Sequence, residues 1–141
     1  IIDLSHASEA LMDDILNSTT SVVIMSHTGV RALCDTVRNL DDKYLKLIAQ
    51  RGGVVGICFL EDCACGTSIG HIVQHIKHVN STVGIDHVSI GSDMDGGVAS
   101  ILNARDLPHL TVELKREGFS MEDIAKIMGG NVLRVLKQAL P

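Results

Sequence analysis

Two histidines and an aspartate follow short apolar runs, where their side chains suit metal-dependent chemistry. His6 follows the apolar opening of the chain, His27 follows the run SVVIMS, and Asp93 follows the run HVSIG by one residue. Neutral imidazole is a common zinc ligand, and carboxylates complete or support such sites. A single histidine at the end of a strand is more often structural. Two of them, each preceded by Ser, favour a metal or catalytic site.

Three further histidines, at spacing i, i+4 and i+7, would share one helical face. They are His71, His75 and His78, and Cys63 and Cys65 lie nearby in the sequence. A zinc site is one interpretation, but the Cys-x-Cys spacing is tighter than the usual two to four intervening residues. We therefore favour a solvent-facing helix surface.

Four apolar runs alternate with helical patterns along the chain. The predicted strands are Ile1–Ser5, Ser21–Ser26, Val54–Phe59 and His87–Gly91. The predicted helices are Ser8–Asn17, a segment opened by Asp41-Asp42, Ser68–Asn80, Leu110–Glu117, one capped by Ser120 with Asp123, and Asn131–Leu140. Strands that are apolar throughout, separated by helices, indicate parallel β/α units covered on both faces.

The predicted fold class is α/β, a parallel (β/α) barrel of TIM type represented by about four β/α units. A Rossmann domain is unlikely because the Gly-x-Gly-x-x-Gly turn is missing. An eight-stranded barrel needs about 250 residues, so we expect residues 1–141 to be its C-terminal half. A small open-sheet domain is the alternative. In either fold the ends of parallel strands face the ligand site, which would bring His6, His27 and Asp93 together.

Composition and charge narrow the classes of partner. The net charge of −5 and the scattered Lys and Arg residues argue against nucleic-acid binding. No apolar run approaches the roughly 20 residues of a membrane span. The four cysteines form no dense framework, Cys58 is expected to be a buried thiol, and Cys63 and Cys65 are too close for an ordinary mutual disulfide. Together with the missing basic leader and hydrophobic tail, this predicts a reducing, cytoplasmic location.

Several motifs resemble those of the membrane (renal) dipeptidase family. They are DLSH at residues 3–6, VIMSH at 23–27, RNL at 38–40, GGVVG at 52–56, GIDHVSIGSDMDG at 84–96 and GGNVLRV at 129–135. The similarity covers essentially the whole chain in order. The two His motifs together with the Gly-Ser-Asp-x-Asp-Gly turn are jointly specific for that family.

The resemblance implies a binuclear zinc dipeptidase on a (β/α)₈ barrel. His6 and His27 match the two histidines that bind one of the metals. Arg38 matches the arginine that holds the carboxylate of the substrate, a task that suits a guanidinium fork. Asp93 matches the acidic residue beside the substrate amino group and the bridging water, where it assists proton transfer. Two metals would lower the pKa of a shared water and polarise the scissile carbonyl.

Other parts of the family's site have no counterpart in this sequence. The His-x-Asp pair of the other metal, the bridging Glu and a substrate-polarising His cannot be placed. Since a catalytic zinc normally has three protein ligands and a water, we expect at most one zinc from this chain, which would be inactive alone. A chain that opens inside an apolar run without Met is also expected to belong to a longer protein.

Two alternatives to the dipeptidase remain. One is a non-catalytic half-barrel module that has lost its metal site and forms a homodimer through its open sheet edges. The other is a different barrel metallohydrolase, such as an amidohydrolase, which is disfavoured by Arg38 and by the turn around Asp93.

Overall fold

Four parallel strands form one sheet, in the order in which they occur in the chain. The computed structural model describes residues 1–95 and 97–140. The strands are β1 (Ile2–Asp3), β2 (Val23–Thr28), β3 (Val55–Ile57) and β4 (Val88–Ile90). Each neighbouring pair is parallel, with Ile2 opposite Val23, Met25 opposite Val55, and Val55 opposite Val88. The four predicted strands and their parallel order are confirmed, although β2 continues through His27 to Thr28.

Seven α-helices connect or follow these strands within the described residues. They are α1 (Glu9–Ser18), α2 (Asp42–Gln50), α3 (Glu61–Ala64), α4 (Ile69–Val83), α5 (Leu107–Arg116), α6 (Met121–Ala125) and α7 (Asn131–Ala139). The predicted caps are present: the Ser8 hydroxyl accepts from the Leu11 amide, and Ser120 with Asp123 forms a capping box. Such side chains satisfy amides that the first helical turn leaves unpaired.

Three helices differ from the sequence-based prediction, one of them α4, which continues past Asn80 to Val83. The short helix α3 was not predicted, because four residues carry no readable periodicity. Helix α5 begins at Leu107 instead of Leu110 and contains Pro108 in its first turn. Proline is tolerated there, since a first-turn amide has no intrahelical partner to lose.

Helices α1, α2, α4 and α5 bury the apolar sheet in one continuous core. Its fully buried side chains include Leu4, Leu45, Ile48, Val55, Ile72, Ile76, Val88, Leu110 and Leu114. Helix α7 is tied to the amino-terminal ends of the strands, where Arg134 donates to the carbonyls of Gly52 and Asp86 at 2.8 and 2.7 Å. The carboxyl ends of the strands lie at the opposite end of the sheet.

His75 is buried, which corrects the prediction of a solvent-facing histidine surface on α4. The side chain is only 2% exposed, because α4 packs between α2 and α5. Its Nδ1 accepts from the Val30 amide at 2.9 Å, and burial lowers the pKa of His75. His78 instead contacts Asp42, with 2.8 Å between Nε2 and Oδ1. Residues 1–95 and 97–140 contain no cluster of three or more His, Cys, Asp or Glu side chains arranged for a metal.

The cysteines divide into one disulfide and two buried thiols. Cys34 is bonded to Cys65, a pairing that the sequence-based reasoning did not consider, whereas Cys58 is a buried thiol as predicted, and so is Cys63. Disulfides are typical of oxidising compartments, so this bond does not favour the reducing location expected from the cysteine pattern. The compartment itself stays a prediction. None of the helices in the described part of the chain has the length and hydropathy needed to cross a bilayer.

Candidate active site at the carboxyl ends of the strands

The four residues selected from the sequence lie together at one end of the sheet. The Nε2 atoms of His6 and His27 are 2.9 Å apart. Arg38 directs Nη1 toward His6 Nδ1 at 3.2 Å, and its Nη2 donates to Asp93 Oδ2. That carboxylate oxygen lies 3.8 Å from His27 Nε2. Residues in β2, in the loop after it, and just past the ends of β1 and β4 thus form one continuous cluster.

The two imidazoles have a separation that suits ligands of a single metal ion. Their ring centroids are 4.9 Å apart and the ring planes are inclined by 58°. Two nitrogens, each about 2.0–2.1 Å from one zinc, are about 3.3 Å apart at the tetrahedral angle, a few tenths of an ångström more than the 2.9 Å between the two Nε2 atoms. The donor chemistry and spacing of His6 and His27 therefore fit part of a zinc coordination sphere. A third protein ligand of the same site is not found among the described residues.

A hydroxyl network holds the ring of His27. The Ser26 hydroxyl lies 2.9 Å from His27 Nδ1 and 3.0 Å from the Ser5 hydroxyl. When Nδ1–H donates to Ser26, Nε2 keeps its lone pair for a metal, which is how outer groups commonly orient a ligating imidazole. The sequence had marked these serines only as the residues before the histidines.

Asp3 is hydrogen-bonded to the backbone of both serines in this network. Its Oδ1 accepts from the backbone amides of Ser5 and Ser26, both at 3.0 Å. Burial works against ionisation of Asp3, but the hydrogen bonds from Ser26 and Ser5 outweigh it and lower its pKa. An ionised Asp3 thus joins the ends of β1 and β2 at the residues that precede the two histidines.

Two residues of the cluster adopt left-handed backbone conformations. His6 has φ of 65° and Asp93 has φ of 56°. Few residues other than glycine adopt this region, although aspartate and histidine enter it more often than most. Strained backbone of this kind concentrates at functional sites, where the surrounding structure holds it in place.

Gly56 and Gly91 allow the strands to approach the residue that precedes His27. A Cβ atom built on Gly56 would lie 2.1 Å from the Ser26 carbonyl oxygen, and one on Gly91 would lie 1.9 Å from it. Both distances are well inside van der Waals contact. Any larger residue would displace β2, so these glycines set the position of His27. Before the structure was known, these glycines stood out only by their place in the family motifs.

Arg38 stays charged, and a buried thiol lies beside it. Partial burial works against its charge, but Cys63 and Asp93 outweigh this effect and raise the pKa of Arg38. A hydrogen bond from Cys58 lowers the pKa of Cys63 to about 7, with Arg38 contributing and burial opposing. The same pairing and burial raise the pKa of Cys58.

Two cavities open on either side of His6 and Arg38. One has a volume of about 470 Å³, also touches His27, and has a mostly apolar floor formed by Leu4, Met12, Met25, Leu40 and Tyr44. The other has a volume of about 450 Å³ and carries the acidic side chains Glu61, Asp62, Asp93 and Asp95. The arrangement suits a small molecule with a carboxylate at Arg38 and a cationic group toward the acidic cavity.

The sequence of the chain matches one family over nearly all its length. The model of the membrane dipeptidases, peptidase family M19, matches residues 1–140. Dipeptidase ataJ of Aspergillus terreus is 40% identical over 146 residues, which cover 98% of this chain and 36% of the relative. Dipeptidase 3 of Rattus norvegicus is 31% identical, with coverage of 98% and 30%. The chain thus spans about a third of the length of these relatives.

Solved structures of related proteins follow nearly the same backbone path as this chain. A family M19 metallopeptidase named dipeptidase AC superposes with a TM-score of 0.91 at 26% identity, covering 99% of this chain and 42% of the other. A metallopeptidase from Rhodobacter sphaeroides, solved with a phosphinate mimic of the dipeptide L-Ala-D-Ala, gives a TM-score of 0.90 at 27% identity, with coverage of 99% and 42%.

These matches confirm both the predicted fold class and the predicted resemblance. The solved relatives have the TIM-barrel fold, and the four β/α units described above form part of such a barrel. The chain belongs to the membrane dipeptidase family, peptidase family M19.

Proposed function

We propose that these 141 residues form the C-terminal half of the barrel of a zinc-dependent dipeptidase. The observation that carries the proposal is the pair of imidazole nitrogens 2.9 Å apart, beside an arginine that is hydrogen-bonded to Asp93. Membership of the dipeptidase family and the dipeptide mimic bound to the Rhodobacter sphaeroides relative support it. The proposed reaction is hydrolysis of the peptide bond of a dipeptide.

His6 and His27 are the proposed ligands of one zinc ion. When bound, zinc supplies a Lewis acid and lowers the pKa of a coordinated water. By accepting a hydrogen bond from Nδ1–H, the Ser26 hydroxyl would keep the His27 ring in the tautomer that leaves Nε2 free. In the structure His6 Nδ1 faces Arg38, so His6 would need its proton on Nδ1 to bind metal through Nε2. Arg38 would then be released toward the substrate.

Arg38 and Asp93 are the proposed contacts for the two charged ends of the substrate. They are hydrogen-bonded to each other in the structure. A dipeptide zwitterion replaces this internal pair favourably, since its carboxylate binds the guanidinium fork and its ammonium faces the carboxylate. Asp93 then also lies where it can take up or return a proton during cleavage. This arrangement selects substrates whose two ends are both free.

The zinc site also needs ligands that these residues do not supply. Two imidazoles are fewer than the three protein ligands of an ordinary catalytic zinc. We propose that the missing ligands, including those of a second zinc, lie in the portion of the relatives' length that this chain does not span. By itself the 141-residue chain should bind at most one zinc and should not hydrolyse dipeptides.

The test compares substrates that differ only at their ends, using the complete gene product loaded with zinc. We expect hydrolysis of a free dipeptide, and at least about 100-fold lower kcat/KM for the N-acetyl dipeptide and for the dipeptide amide, because each loses one charged contact. Arg38→Ala should raise KM about 100-fold and leave the zinc content unchanged. Arg116→Ala is the control, since Arg116 pairs with Glu113 on the exposed surface of α5.

Some results would contradict this proposal. Loss of zinc from the Arg38→Ala variant would show that Arg38 supports the metal instead of the substrate. Equal rates on the dipeptide and its amide would remove the proposed role of Arg38. Tight binding of two zinc ions by the 141-residue chain alone would refute the incomplete site.

A non-catalytic homodimer is the alternative proposal. Strands β1 and β4 each pair on one side only within the described sheet, and unpaired strand edges invite pairing with another chain. Sedimentation equilibrium separates the two proposals. A dimer that binds no zinc and hydrolyses no dipeptide would favour the interaction module.

A further inference from the structure

Asn39 is a buried amide whose hydrogen bonds join three separate segments. It is only 2% exposed. Its Oδ1 accepts from the Gly29 amide at 3.0 Å, and its Nδ2 donates to the carbonyls of Cys34 and Cys63 at 2.8 and 2.9 Å. The side chain therefore links the end of β2, the loop after it and helix α3.

The backbone beside Asn39 is attached to β2 as well. The Thr28 hydroxyl donates to the Arg38 carbonyl at 3.2 Å, and the Leu40 amide donates to the Gly29 carbonyl at 3.0 Å. A Cβ atom on Gly29 would lie 2.3 Å from Asn39 Oδ1, so the amide fits only because residue 29 is glycine. The Arg38 carbonyl and the two residues that follow it are thus fastened to the strand carrying His27.

The Arg38 side chain makes few contacts that would fix the direction of its guanidinium during catalysis. Its Nε is buried and makes no hydrogen bond within the described residues. Its Nη atoms contact His6 and Asp93. In the proposed reaction one of these partners binds metal and the other faces the substrate. In the described part of the chain the guanidinium then keeps only Cys63 beside it, so its direction depends on that residue and on the backbone that carries Arg38.

We propose that Asn39 is a positioning residue that directs Arg38 toward the substrate carboxylate. The inference rests on the proposed dipeptidase function and adds the residue that makes carboxylate recognition possible. The Asn39 amide is already hydrogen-bonded to Gly29, Cys34 and Cys63, so we expect it to act on the substrate through the position of Arg38. Placement errors of about 1 Å at a substrate contact are known to cost large factors in rate.

The experiment measures discrimination between a dipeptide and its amide in the zinc-loaded complete gene product. For Asn39→Ala we expect KM for the dipeptide to rise about tenfold with little change in kcat, because the three hydrogen bonds that hold the loop are lost. The ratio of kcat/KM for dipeptide over amide should fall by about the same factor. Zinc content should stay at the wild-type level.

A double-mutant cycle separates positioning from general destabilisation. In an Arg38→Ala background, Asn39→Ala should cause no further change in KM or in the ratio, since the route through Arg38 is already lost. The matched control is Asn131→Ala. Asn131 is also buried and donates from Nδ2 to the Ile85 and Val88 carbonyls at 2.7 and 2.8 Å, but at the opposite end of the sheet. It should lower stability without changing the ratio.

If Asn39→Ala does not fold, Asn39→Asp replaces it, because aspartate keeps the acceptor for Gly29 and loses both donors. An unchanged ratio in a folded variant would overturn the inference while the dipeptidase proposal stands. So would an equal effect of Asn39→Ala with and without Arg38. A wild-type protein that fails to distinguish dipeptide from amide would overturn the proposed function and this inference together.

Discussion

Removal of the Ser26 hydroxyl should weaken zinc binding without altering the fold. Ser26→Ala deletes the hydrogen bond at 2.9 Å to His27 Nδ1 and the contact at 3.0 Å to the Ser5 hydroxyl. The bond from the Ser26 amide to Asp3 involves only backbone on the Ser26 side and is retained. The change therefore acts on the orientation and tautomer of the His27 ring.

The expected loss of zinc affinity follows from the loss of one hydrogen bond. A neutral hydrogen bond contributes about 0.5–1.5 kcal/mol, and about 1.4 kcal/mol corresponds to tenfold in an equilibrium constant. Loss of an outer partner of a metal-bound histidine typically lowers metal affinity about 10–100-fold. We therefore expect the zinc Kd to rise about tenfold, the common value of these ranges.

The assay is competition for zinc with a chromophoric chelator at fixed pH. Ser89→Ala is the matched control, since Ser89 is 2% exposed on β4 and is not hydrogen-bonded to either imidazole in the described structure. Its Kd should match the wild type. Ser26→Thr should recover most of the affinity, because threonine keeps a hydroxyl at the same branch point.

The reasoning fails if Ser26→Ala binds zinc as tightly as the wild type. It also fails if Ser89→Ala weakens binding to the same extent, because the effect would then be general destabilisation. Thermal melts of the three zinc-free variants check that any change in Kd occurs in a folded protein.

Three further predictions concern stability and covalent structure. Gly91→Ala should lower the free energy of unfolding by about 3 kcal/mol, measured in urea, because its Cβ would collide with the Ser26 carbonyl. Peptide mapping without reductant should find Cys34 linked to Cys65. Because this disulfide joins residues 31 positions apart, its removal should lower the free energy of unfolding by about 3.5 kcal/mol. The free energy of unfolding should also fall below pH 6.5, since burial lowers the pKa of His75 from 6.5 and only the unfolded chain then gains that proton. His75→Gln should flatten this dependence between pH 7 and 5.

Each of these predictions has its own control. Gly70→Ala should be neutral or slightly stabilising, because the nearest atom to its Cβ is 3.6 Å away. Equal effects at Gly70 and Gly91 would contradict the steric argument. Four alkylated cysteines in the unreduced, unfolded protein would contradict the disulfide. Identical pH slopes for wild type and His75→Gln would show that another group controls the acid response.

Much of the fold could be predicted from the sequence, because the patterns that indicate its strands and helices are local. Apolar runs of strand length, helix caps at Ser8 and Ser120, and the acidic start of α2 depend on neighbouring residues alone. Helix α3 escaped prediction, since four residues give no periodicity to read. The order of parallel strands followed from the alternation of strand and helix, which permits few connections.

The residues of the candidate site were readable for a related reason. In parallel β/α folds the ends of the strands share one face, so His6, His27 and Asp93 were expected to meet, and the resemblance added Arg38. Their roles remain proposals, but the structure brings all four together. The supporting residues Ser5, Ser26 and Asn39 were not predicted as such, because hydrogen bonds across 10 to 24 positions leave no pattern in the sequence.

The sequence by itself therefore determined the class of fold, the end of the sheet that carries the candidate site, and the types of side chain placed there. The tertiary structure alone decided that His75 is buried, that Cys34 pairs with Cys65, and that Asn39 fastens the loop of Arg38. The physical reason is the distance along the chain over which each kind of interaction acts. Periodicity and capping act within a few residues, whereas burial of a helix face and pairing of distant groups depend on what packs against them.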